Sequence, residues 1–71
     1  MASNKGGELA GAVVVIERRS ANVWAANVVG DDGELLTFDT TFPTERGAVL
    51  LGERMAKRFG LPIERASYNG R

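Results

Sequence analysis

"VWAANVVGDDGELLTFD" (residues 23–39) decides how this chain folds, because two apolar runs flank a turn whose register follows from its own chemistry. "VWAANVV" (23–29) is rich in β-branched and aromatic residues and reads as a strand, and "ELLTFD" (34–39) reads as its partner. In "GDDGE" (30–34), Asp31 and Asp32 suit a type I turn and Gly33 supplies the left-handed residue that closes a three-residue loop. That loop pairs Gly30 with Glu34, Val28 with Leu36 and Ala26 with Phe38. Side chains alternate along a strand, so Trp24, Ala26, Val28, Leu36 and Phe38 share one face. A two-residue loop of Asp32 and Gly33 would set Val28 against Thr37 and break that apolar set.

Upstream, "AVVVIERR" (12–19) is a further strand and "RSAN" a turn. With Ser20 and Ala21 at the tip, Val15 meets Ala26 and Val13 meets Val28, and both join the Trp24 face. The second face then carries Val14, Ile16, Val23, Ala25, Val29 and Leu35, with Asn27 and Thr37 among them.

Downstream, "FPTERGAVLLGERMAKRFGLP" (42–62) has a helix start and a helix stop. Thr44 is the N-cap, Glu45 sits near the positive end of the dipole, and Lys57 and Arg58 sit near the negative end. Gly60 fits the left-handed position that ends a helix, with Leu61 and Pro62 after it in a Schellman-type stop. At 100° per residue, Ala48, Leu51, Gly52, Met55, Ala56 and Phe59 form the side facing the sheet. Gly52 costs roughly 1 kcal/mol relative to alanine in a helix interior, which suggests a close approach, with Trp24 beneath it and Met55 nearby. "IERASY" (63–68) is read as a short fourth strand. The expected fold is two-layer α+β: a three-stranded antiparallel meander, extended by that fourth strand, with one helix packed on one face. Residues 1–10 form a flexible tail and 11–71 a single small domain.

Composition narrows the function. Seventy-one residues bury little core, and small scaffolds usually need a staple. With no cysteine and no histidine, neither disulfides nor the common zinc sites are available, which leaves self-association or very efficient packing. Nine basic and nine acidic residues cancel, so no global field draws in nucleic acid or a membrane. No apolar run approaches the roughly 20 residues that span a bilayer. "MASNKGGE" (1–8) lacks the apolar core of a signal peptide, and a cytoplasmic protein is expected.

Catalysis finds little support. Acid–base work would fall to Asp31, Asp32, Asp39, Glu17, Glu34 or Glu64, with no nucleophile–base pair in sight. Asp39 beside Thr40 and Thr41 reads as a cluster that satisfies backbone groups before the helix. "GDDGE" lacks the oxygen spacing of a calcium loop, and "GGELAG" (6–11) precedes a strand instead of opening a helix, so neither binds a cation or a phosphate by motif. No catalytic residue, metal or cofactor is expected.

Two surfaces remain. The second sheet face is unusually apolar for an uncovered one, and contiguous apolar patches mark interactions. Val14, Ile16, Ala25, Val29 and Leu35 are the expected interface of a homodimer or a protein partner. Leu50 on the outer side of the helix is a further anchor ringed by charge. The alternative is a nucleic-acid module with Arg46, Arg54, Lys57 and Arg58 on phosphates, Arg65 nearby, and Tyr68 as the one ring close to the patch. Glu53 to Lys57 is a favourable helical ion pair that would instead make this a solvated face. The layout of hairpin, third strand and capped helix is similar to that of small bacterial and phage accessory proteins, phage inhibitors of host defence included. That resemblance covers residues 12–60 and carries no functional residue.

Overall fold

Three glycines of this computed structural model, which describes residues 9–67, have positive φ and sit at bends of the chain: Gly11, Gly33 and Gly60. The elements are β1 (Val13–Ser20), β2 (Val23–Val29), β3 (Thr41–Phe42), α1 (Glu45–Phe59) and β4 (Ile63–Ser67). The sheet has the order β3-β2-β1-β4. β2 is antiparallel to both its neighbours, and β4 lies parallel to β1 at the edge. One helix crosses the sheet between β3 and β4, giving the expected two-layer α+β fold with its fourth strand in place. Leu9, which the sequence reading placed in the tail, packs against the core and accepts a hydrogen bond from the Ala12 amide at 3.0 Å. Residues 1–8 and Tyr68 lie outside the described residues.

The Gly33 turn forms as its chemistry requires. Gly33 has φ +88 and donates to the Gly30 carbonyl at 2.9 Å, and Gly30 donates to the Glu34 carbonyl at 2.8 Å. Val29 then bridges to Leu35, and the Leu36 amide donates to the Val28 carbonyl at 2.8 Å. Here the third strand departs from expectation. The next ladder bond is taken by a side chain, the Val28 amide donating to Thr37 Oγ1 at 3.2 Å. Residues 37–39 swing out, and pairing resumes where the Ala26 amide donates to the Thr40 carbonyl at 3.2 Å. The strand proper is Thr41–Phe42, with Trp24 opposite Phe42. The excursion adds two residues to the register, so facing is preserved, and Phe42, opposite Trp24, is the phenylalanine that packs against the core in place of Phe38.

The first hairpin corrects the sequence reading more deeply. Its tip is Ala21 and Asn22, Ser20 pairs with Val23, and a bulge lies between Arg18 and Ser20. Neither tip residue has a left-handed backbone, so this is not one of the primed turns that match strand twist, and the bulge takes up the difference. Beyond the bulge Ile16 pairs with Ala26 and Val14 with Val28. That is a one-residue slip from the expected register, and it exchanges the two faces of β1. Val14 and Ile16 lie under the helix, 0% and 1% exposed, and are core instead of partner interface. Val13 and Val15 face the other way.

Thr44 caps α1 by accepting from the Gly47 amide at 3.4 Å, and Gly60, with φ 69, ends it. The amides of Gly60 and Leu61 both reach the Ala56 carbonyl, as in a Schellman stop. Gly52 does mark a close approach, but to β1: a Cβ there would stand 2.8 Å from Ile16 Cδ1 and Cγ1. Trp24 is half-buried further along the sheet, beside Phe42 and under the Arg18 guanidinium, whose Cζ is 5.7 Å from the ring centre. Phe59, expected in the core, is 41% exposed. The buried apolar set is Ala12, Val14, Ile16, Ala25, Ala26, Val28 and Ala48. Four of these seven are alanines, so the core is thin.

Candidate protein-interaction surface

The sheet face away from the helix is built from the odd-numbered residues of β1 and β2. Val13, Val15 and Glu17 of β1 stand opposite Val29, Asn27 and Ala25 of β2. Leu35 extends the face beyond Val29 and is 45% exposed. Glu64 and Ala66 flank it on β4 as partners of Val15 and Glu17. No described element covers this face. It divides into a polar half and an apolar half.

The polar half is organised by Asn27, an amide in the middle of an apolar strand and only 4% exposed. A buried amide must be bonded on both sides. Its Nδ2 donates to Asp39 Oδ1 at 2.9 Å, and its Oδ1 accepts from Thr37 Oγ1 at 3.1 Å and from the Thr40 amide at 3.3 Å. Asp39 in turn accepts from Arg19 Nη1 at 2.6 Å, and Arg19 Nε donates to Glu17 Oε1 at 3.3 Å. This chain of side chains runs around Ala25, which is 0% exposed even though it belongs to the open face. The hydrogen bond from Arg19, and after it the one from Asn27, hold the Asp39 carboxyl below its ordinary value of 3.8. The same bond to Asp39 raises the Arg19 guanidinium, so both partners stay charged near neutrality.

The network fixes the excursion at residues 37–39, and that excursion holds out Phe38. Phe38 is 94% exposed, more than any other large apolar residue among the described residues. Thr40 Oγ1 bonds to its carbonyl at 3.0 Å and tightens the loop from within. The loop is tied through Asp39 to Asn27, the register partner of Val15 on the face that carries Val13, Val29 and Leu35.

The sequence-predicted interface is therefore split. Val29 and Leu35 lie on the open face, Ala25 lies there but is covered, and Val14 and Ile16 are on the opposite side of the sheet. Leu50 is 52% exposed, as expected, but on the outer side of the helix and away from the others. The basic residues separate too. Arg54, Lys57 and Arg58 gather around Leu51 and Met55, whereas Arg46 lies two turns earlier, about 12 Å along the axis from Arg54. Arg65, on β4, is paired with Glu45 at the start of the helix. The expected Glu53–Lys57 ion pair does not form. Sequence reading missed Val13, Val15, Arg19, Asn27 and Phe38. Asn27 was the available signal, since an amide inside "AANVV" demands partners and Thr37, Asp39 and Thr40 were the nearest polar groups.

Among the described residues no group of three or more carboxylates converges as a metal site, and no helix is long and apolar enough to cross a membrane. Comparison with protein-family models, curated proteins and solved structures finds no match to this chain.

Proposed function

We propose that this chain is a non-enzymatic interaction protein that pairs with a second copy of itself through the open face of its sheet. The observation behind this is the uncovered sheet face of Val13, Val15, Val29 and Leu35, with Phe38 held 94% exposed on a loop bonded to Asn27 of that face. A lone exposed apolar residue is ordinary, but one held out by a loop bonded to an apolar sheet face has the form of an interface anchor. The thin core supports the same reading, because a second copy would supply the burial that a small domain lacks. An isologous pair would set the apolar halves of two copies against each other. A four-stranded face seven residues long measures roughly 20 × 23 Å. That is roughly 460 Å2, below the about 800 Å2 per partner of a standard interface, and implies a weak, reversible dimer. A small accessory protein acting by contact in the cytoplasm is the role that fits.

Sedimentation velocity across the micromolar range tests this. The wild type should shift from monomer towards dimer with concentration. Phe38→Asp and Val15→Lys should remain monomeric and folded by circular dichroism, and Leu50→Asp should behave as wild type. A wild type that stays monomeric throughout would overturn self-association.

A further inference from the structure

A second surface lies on the flank of α1. Leu51 and Met55, one turn apart and half-buried, form the floor of an open groove of about 580 Å3, and Arg54, Lys57 and Arg58 form its wall. Among the described residues none of these three cations has a carboxylate within ion-pair distance; the ion pairs present involve only Arg19 and Arg65. The Arg58 guanidinium rests 5.9 Å from the Phe59 ring centre. Since the chain carries no net charge, this cluster is a local excess of positive charge.

We infer that the groove takes an acidic amphipathic peptide segment of a partner protein, with leucine-like side chains on the Leu51–Met55 floor and carboxylates on Arg54, Lys57 and Arg58. The two halves of the groove require this pairing. A thioether and an isobutyl floor accommodates aliphatic side chains and adapts to their shape. Its one-turn spacing matches the i, i+4 anchors of a helix laid in a groove. The unpaired cations complement carboxylates along the same segment and would steer their approach. A nucleic acid would use the cations and leave the apolar floor idle, and the groove offers no ring on which bases could stack.

The probe is a labelled 14-residue peptide with leucine at helical i, i+4 spacing and glutamate on the flanking positions, followed by fluorescence anisotropy with the full chain. Binding should be saturable and weaken as salt rises. Arg54→Glu combined with Lys57→Glu, both exposed positions, should weaken it about tenfold or more. A lysine-for-glutamate peptide should bind that reversed variant better than the wild type. Replacing the peptide leucines by serine should abolish binding, and Phe38→Asp should leave it unchanged, separating this groove from the sheet face. No binding at low salt would overturn the inference. So would equal binding of the serine peptide, or tighter binding of an oligonucleotide of the same charge or of anionic vesicles, which would reduce the groove to an electrostatic surface.

Discussion

The two faces of the sheet solve opposite problems with neighbouring residues. The covered face is closed by small side chains: Gly52 and Ala48 let the helix backbone down onto Ile16 and Val14, and little space remains. The open face is closed only over Ala25 and Asn27, by hydrogen bonds and ion pairs, and is otherwise left apolar. One face therefore holds the domain together, and the other is available for contact. The difference lies in a single residue of register, because Val15 and Ile16 are adjacent in the chain and serve opposite faces.

The sharpest way to break this comparison is to shorten each neighbour in turn. Ile16→Ala should cost about 2–5 kcal/mol in urea unfolding, since it opens a cavity beneath Gly52. That is a large share of the roughly 4–11 kcal/mol expected for a domain of this length. Val15→Ala should cost about 1 kcal/mol or less at concentrations where the protein is monomeric. The reverse ranking would restore the register first read from the sequence and exchange the faces again.

That register also shows how far the sequence could be read. Where a glycine supplies a left-handed residue, as Gly33 and Gly60 do, the turn and the helix end stand where their chemistry puts them. The helix, its caps, the exposed Leu50 and the pairing up to Leu36 were all legible for this reason. The "RSAN" turn has no such residue, and its bulge at Arg19 depends on twist between whole strands, which no local pattern encodes. The departure at Thr37 was hidden because a threonine hydroxyl replaced a backbone carbonyl, and the dipeptide "TF" reads as strand either way. The exposure of Phe38 follows from that substitution, so the residue on which the proposed interface rests was the least accessible to periodicity. Loss of Val14 and Ile16 from the predicted interface has the same origin as the slip itself.

An intermediate effect is expected at the centre of the polar half. Asn27→Ala leaves the Thr40 amide and the Thr37 hydroxyl without their partner and should cost about 1–3 kcal/mol. It should also release the 37–39 excursion, seen as faster amide hydrogen exchange at Thr40. Unchanged exchange there would show that the loop is held by something other than this amide.

The smallest expected effect is in acid. Asp39 has a lowered pKa in the folded protein, so its contribution is fully present above the ordinary carboxylate value of 3.8 and is lost as pH falls through the lower folded value. The gap in melting temperature between wild type and Asp39→Asn should therefore be present at neutral pH and narrow below about pH 3.8. Arg19 remains charged throughout this range. A gap that stayed constant from pH 6 to pH 2 would mean that the charge on Asp39 contributes nothing to the network.

The claim that the open face is the contact surface is tested most directly by methyl nuclear magnetic resonance on dilution. Signals of Val13, Val15, Val29 and Leu35 should move together as the protein is diluted through the micromolar range, with the Phe38 ring signals following the same curve. Leu50, on the outer side of the helix, should not move. Shifts concentrated at Leu50, or no shift at any of these residues across the whole range, would contradict the account.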